Sequence, residues 1–249
     1  MGLLDGSGVS REVHAPFCER LRVRFPWSTH LTKLPLVQRC VYLSLYVVMD
    51  LFSRYVVAWM LSRKENSGLA KQLMTEAVNR YDITPEQLTL HQDRGSPMTA
   101  ISFLDTLAER KVVASHSRPR VSNDNAFSES QFKTAKYQPD YPGKFRDFNH
   151  AREWCVDYFE WYNTQHHHSG LAGFTPEQVF TGRHVAVAQN KQAALDKMYQ
   201  KHPERFVIGK PKVAIPPEMV AINPVPIELQ GTDEDRVNFP TLKAAARSI

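Results

Sequence analysis

Cysteine is scarce: the chain of 249 residues has three, Cys18, Cys40 and Cys155, none in a C-x-x-C pair. That spacing argues against a disulfide framework or a zinc site and fits a reducing cytosol. Long apolar runs are missing too. None approaches the ~20 residues needed to span a membrane, and the N-terminus lacks a basic region followed by an apolar core. Acidic residues are absent from one stretch in particular, with no Asp or Glu between Glu19 and Asp50. No internal repeat is visible. Hydrophobic residues make up 42% and charged residues 23%, which suits a globular protein of one large domain or a domain plus an appendage. The net charge of +5 favours a polyanionic partner.

The chemistry concentrates between His91 and Lys136. The segment opens His91-Gln92-Asp93-Arg94-Gly95-Ser96. It closes with Ser122-Asn123-Asp124-Asn125 and Ala126-Phe127-Ser128-Glu129-Ser130-Gln131-Phe132-Lys133, then Lys136. Asp93 follows Leu88-Thr89-Leu90, a short apolar run that reads as a buried strand, and Gly95 and Pro97 punctuate a turn after it. Glu129 follows Asn-Asp-Asn, a good helix N-cap, and precedes a helical face of Phe127, Gln131, Phe132 and Ala135. One carboxylate therefore ends a strand and the other rides the first turn of a helix. Acids presented this way suit hard divalent cations, which take oxygen ligands.

These two motifs, with 35 residues between Asp93 and Glu129, resemble the catalytic core of DDE transposases and retroviral integrases. The second reading-frame transposases of bacterial insertion sequences are the closer likeness. It extends through Trp161-Tyr162-Asn163-Thr164-Gln165 to Phe174-Thr175-Pro176-Glu177 and covers about Pro26 to Pro224. The resemblance implies an α/β fold of ribonuclease H-like type and phosphoryl transfer on DNA with two ions, Mg2+ or Mn2+. It also implies cytoplasmic action on double-stranded DNA, as a homo-oligomer, with element ends recognised by a helix-turn-helix segment or partner polypeptide. No such segment is legible here. It further implies three carboxylates, the first in a Trp-x-x-Asp-Ile-Thr-Lys-Leu setting. The matching run is Trp27-Ser28-Thr29-His30-Leu31-Thr32-Lys33-Leu34, with His30 where the Asp is expected.

His30 leaves the expected set one acid short. Imidazole suits zinc, copper or iron better than magnesium and brings no negative charge. A turn near residues 37 and 38 places His30 opposite Leu45, so that Asp50 lies five residues along, roughly 17 Å away. Asp50 reads as a turn residue. Two functional readings stay open: a transposase core with Asp93, Glu129 and His30 at its catalytic positions, and an inactive DNA-binding remnant of the same fold. A ribonuclease H-type nuclease is a third, against which the Tyr162-Asn163 segment argues.

The order of elements supports the fold. Strands over Trp27–Leu34, Val41–Met49 and Tyr55–Leu61 form a meander. A helix with Ser67 as cap follows, then the Asp93 strand, a helix through Ile101 and Leu107, a strand at Val112–Ala114, and the Glu129 helix. Phe148–Tyr162 and Val185–Met198 are helical, and Thr175-Pro176-Glu177 reads as cap and first turn of a short helix. This predicts a mixed five-stranded sheet flanked by helices, with a helical C-terminal extension. The expected division is an irregular basic leader (1–25), an integrase-like core (26–184), and a C-terminal helix with a Pro-rich, poorly packed tail (185–249). Lys133 and Lys136 share the Glu129 face, and Arg118 and Arg120 lie between the two acids. All four are candidates for phosphate contact or for a merely solvated basic surface. His166-His167-His168 reads as a helix end rather than a metal cluster, and His91 and His116 as strand-end residues beside the site.

Overall fold

Hydrophobic period sets the element order, and a computed structural model describes residues 25–92, 100–117, 122–217, 220 and 222. The strands are β1 (Phe25–Pro35), β2 (Tyr42–Asp50), β3 (Val56–Ser62), β4 (Leu88–Gln92) and β5 (Val113–His116). The helices are α1 (Ser67–Arg80), α2 (Ile101–Glu109), α3 (Ala126–Lys136), α4 (Phe148–Thr164), α5 (Pro176–Phe180) and α6 (His184–Lys201). The strands form one sheet in the order β3-β2-β1-β4-β5. β1, β2 and β3 are antiparallel neighbours, while β4 runs parallel to β1 and to β5. This is the expected α/β, ribonuclease H-like mixed sheet flanked by helices.

Alternation along the strands splits the core in two. Trp27, Tyr46, Val48, Val57, Leu88 and Leu90 share one cluster with Leu73, Met74 and Ala77 of α1 and Phe103 and Leu107 of α2. Leu34, Leu43, Leu45 and Val47 share the other with Ala135 of α3 and Cys155, Tyr158, Phe159 and Tyr162 of α4. Burial pushes the Cys155 thiol up to about 12, so it behaves as a small apolar group. At the free edge of β3, the Asn163 side chain accepts from Val56 N at 2.9 Å and donates to Val56 O at 3.1 Å. Tyr162 and Asn163, singled out as a motif, are thus both buried in the scaffold.

Several expectations need correction. His30 pairs with Val47, not Leu45, and Asp50 pairs with Trp27. The chain reverses in a turn closed by Val41 N to Gln38 O at 3.2 Å, about one residue beyond the expected 37 and 38, with Leu36 N bonded to Val41 O at 2.9 Å and Cys40 at φ 62°. Asp50 is still a turn residue: fully buried, its Oδ2 accepts from Ser53 N at 2.9 Å and from Ser53 Oγ. The cap of α1 is Asn66, which accepts from Leu69 N, and Ser67 is the first helical residue. The described part of the tail, up to 217 with 220 and 222, is anchored at several points. Gln192 holds Pro211 O at 3.0 Å and Val213 N at 2.8 Å, and Val220 is buried with Phe52, Leu171, Phe174 and Val179. The C-terminal segment therefore shares a cluster with the body of the fold. Thr175 caps α5 as expected, in a full capping box with Gln178 and with Pro176 in the first turn.

Candidate active site

The second sheet face changes character from one side to the other. Across β2 it is apolar and is covered by α4. Across β1, β4 and β5 it turns polar, with Ser28, His30, Thr89 and His91 all buried. Ser28 is in register with His91, and His91 with Ser115, so the three form one row over three strands. The N-terminal half of α3 lies on this polar side. Ser128 Oγ meets Ser28 Oγ at 3.0 Å, and the Phe132 ring stands edge-on to His30 with centroids 4.5 Å apart. Further along, at Phe132 and Ala135, the helix joins the apolar cluster.

Glu129 sits in the first turn of α3 and is exposed, so its carboxylate oxygens are available. Lys133 and Lys136 are exposed on the same helix and form no ion pair among the described residues. The last residue of β4, Gln92, is registered with Thr29 and fully buried, so the strand leaves the sheet beside His30. Asp93, Arg118 and Arg120 lie outside the described residues.

His30 does not open onto a cleft. It is 3% exposed, and among the described residues neither ring nitrogen has a hydrogen-bond partner. Burial pushes it down to about 4; the Gln131 amide beside it opposes the shift but falls short of a formed hydrogen bond. Gln131 is itself held by Tyr158: its amide donates to the Tyr158 hydroxyl at 3.3 Å, and that hydroxyl reaches Gln131 O at 3.3 Å. At neutral pH His30 is therefore an uncharged ring in a helix–sheet interface. Glu129 fits a hard cation by donor type and exposure; His30 fits neither by charge nor by donor type. Among the described residues, which exclude Asp93, no group of three or more His, Cys, Asp or Glu side chains could hold a metal.

The His cluster after α4 shapes the chain end. His166 stacks on Tyr162 with centroids 5.4 Å apart, His167 Nδ1 lies 2.8 Å from Gly173 O, and His168 Nδ1 accepts from Gly170 N at 3.0 Å. Burial, with Arg54 and His166 nearby, pushes His168 down to about 4.

Sequence reasoning missed three groups at the site. Arg54, with φ 61°, is buried, donates to Leu51 O and lays its guanidinium 3.8 Å from the Phe127 ring in the first turn of α3. Burial pushes it down to about 10, which still leaves it charged. Ser117 donates to Asn125 Oδ1 at 2.7 Å, so the Asn125 side chain makes no cap bond to α3. Ser28 and Ser128 link strand to helix. The available signal was a run of polar residues at alternate positions (Ser28, His30; Thr89, His91) where a covered strand face calls for apolar ones.

Residues 26–122 and 110–176 each match a family described as "Integrase core domain". The transposase for insertion sequence element IS904 of Lactococcus lactis subsp. lactis (strain IL1403) is 30% identical over 152 residues, 61% of this chain and 59% of that protein. The putative transposase InsK for insertion sequence element IS150 of Escherichia coli (strain K12) is 28% identical over 150 residues, 60% of this chain and 52% of that one. The chain thus spans between half and three-fifths of the length of these relatives. Among solved structures, the catalytic domain of Mos1 mariner transposase aligns with a TM-score of 0.45 at 16% identity, over 54% of this chain and 69% of that one. The HTLV-2 integrase catalytic core domain in complex with magnesium (trimeric form) aligns at 0.43 and 14%, over 63% and 95%. By its sequence kinship, the chain belongs to the integrase-core family, among the bacterial insertion-sequence transposases.

Proposed function

We propose that the chain is the catalytic core of a DNA transposase, cutting at element ends and joining the freed 3′-hydroxyl to target DNA by in-line displacement at phosphorus. Asp93 and Glu129 would hold Mg2+ or Mn2+, ions that activate an attacking oxygen and stabilise a leaving one. Lys133 and Lys136, on the helix of Glu129, and Arg118 and Arg120 would meet DNA phosphates. Element-end recognition would fall to a helix-turn-helix partner, and the working unit would be a homo-oligomer on double-stranded DNA. The observation that carries this reading is the exposed Glu129, set in the first turn of a helix fixed to β1 beside the exit of β4 towards Asp93.

His30 favours a second reading, an impaired or inactive copy that retains only DNA binding. A neutral buried ring occupies the place where the resemblance expects the bridging carboxylate, and no other acid of the described residues stands in for it. Asp50 is spent on its own turn. Joining of a labelled element end to plasmid DNA in Mg2+ or Mn2+ separates the two. The core reading expects joined product that Asp93→Asn or Glu129→Gln removes. DNA retention without product, unchanged by either substitution, establishes the remnant.

A further inference from the structure

The first turn of α3 is seated on one side by Phe127 against the cluster of Phe52, Leu171 and Phe174, and on the other by a polar path through His91. This imidazole is 5% exposed at the centre of the Ser28–His91–Ser115 row. Its Nδ1 lies 3.1 Å from Ser115 Oγ and its Nε2 lies 3.2 Å from Ser117 Oγ. Ser117 Oγ in turn lies 2.7 Å from Asn125 Oδ1, and Asn125 is the residue that immediately precedes α3. Ser117 N also donates to Gln92 O at 3.1 Å, tying the same serine to the last residue of β4.

The proton count orients this chain. A hydroxyl has one proton to give, and the contact to Asn125 at 2.7 Å is shorter than that to Gln92 O at 3.4 Å. Towards His91, Ser117 Oγ therefore accepts, which puts the ring proton on Nε2 and leaves Nδ1 to accept from Ser115. The result is a directed series, Ser115 to His91 to Ser117 to Asn125. It crosses from β5 through β4 to the start of the helix that bears Glu129.

We propose that His91 is a positioning residue for Glu129: through Ser117 and Asn125 it sets the first turn of α3 against the end of β4. Its importance for chemistry rests on the core reading above, but the link itself does not. Among the described residues the turn has three further ties, Ser28 to Ser128, Arg54 over Phe127, and Phe127 against its apolar cluster. Of these four, only the His91 path also holds the end of β4, the strand that leads into Asp93.

The test is hydrogen exchange at the amides of Ser130, Gln131 and Phe132 in the full chain without metal. Their helical acceptors are Ala126, Phe127 and Ser128. His91→Phe keeps ring volume but removes the bonds to Ser115 and Ser117, and these amides should exchange roughly tenfold faster while those of α4 do not change. His91→Gln places an amide where Nε2 was and should restore slow exchange. His91→Asn reaches only the Nδ1 position and should not. Ser117→Ala removes the same link while leaving every side chain of β4 and the Ser117 N to Gln92 O bond in place, and should reproduce the Phe result, which covers the case in which His91→Phe fails to fold. Exchange unchanged in Ser117→Ala, or Gln no better than Asn, overturns the assignment. Mn2+ titration of the same proteins separates the two claims. Parent binding that weakens several-fold in Ser117→Ala joins the positioning role to the metal site. A parent that takes up no Mn2+ tells against the core reading, while the exchange result still decides the positioning role.

Discussion

His30 and His91 are buried imidazoles on the same sheet face, on neighbouring parallel strands, and their surroundings differ in kind. His91 has a hydroxyl on each nitrogen and links β5, β4 and the approach to α3. His30 has a phenyl edge against its ring and, among the described residues, no hydrogen bond at either nitrogen. The first is a wired polar group, whose burial is offset by its bonds. The second is closer to a hydrophobic plug that carries two costly nitrogens. Equal burial therefore says little about role; the partners at each nitrogen do.

The largest effect is expected where the plug replaces an acid. His30→Asp should raise Mg2+-dependent strand transfer by orders of magnitude, since it adds a hard oxygen donor and a negative charge beside the proposed Asp93–Glu129 site. Asp93→Asn in that background should remove the gain. Equal activity of the parent and His30→Asp, both above the Asp93→Asn control, would show that another group completes the site.

Next in size is the response to acid. The His30 ring is held at about 4 when folded, against 6.5 for the free side chain. Its folded value is depressed, so its contribution is fully present above pH 6.5. It is lost as the pH falls from 6.5 towards 4, because the unfolded chain takes up the proton first. The loss amounts to about 3 kcal/mol over that window. His30→Leu should flatten this limb in denaturant titrations at stepped pH and cost nothing at pH 7, since it leaves no partner unpaired. His168, lowered by burial too, keeps part of the acid sensitivity. His91→Leu strands the hydroxyls of Ser115 and Ser117 and should cost about 2 kcal/mol at pH 7. Matching losses at pH 7 from both leucine variants would erase the distinction between the two histidines.

The smallest effect concerns the exposed rim. Lys133→Ala and Lys136→Ala should each weaken duplex DNA binding a few-fold and lower the salt slope by about one ion. Fluorescence anisotropy across a salt series reads both. An unchanged slope would remove this helix face from the DNA contact.

Most of the fold was legible because its signals are local. The apolar run of β2, the 3.6-residue face of α4 and the Thr175-Pro176 start of α5 each declare themselves within a few residues. The register of β1 against β2 was not, because it depends on the loop over 36–41. The turn closes at Gln38–Val41 with a left-handed Cys40, a placement that no hydrophobic pattern records. The two-residue error kept every side chain on its correct face and misplaced only the partners. At the site, the position and chemistry of Glu129 could be read from Asn-Asp-Asn and the helical face behind it. The use of Asn125 could not: a cap asparagine and one that accepts from a distant serine look alike in sequence, and Ser117 is eight residues away. The burial of His30 was equally hidden, since it depends on Phe132 and Gln131 arriving from another element.

Asn163 has a consequence beyond its own two hydrogen bonds. An edge strand presents peptide groups that invite another chain to add itself, and long exposed edges seed aggregation. At Val56 that invitation is answered internally, by one primary amide offering the donor and acceptor that a neighbouring peptide would offer. A single side chain on α4 thus stands in for a sixth strand at this rung. An incoming segment would have to expel Asn163 from a position that its whole helix holds, so the protein carries its own guard against sheet extension at the start of β3.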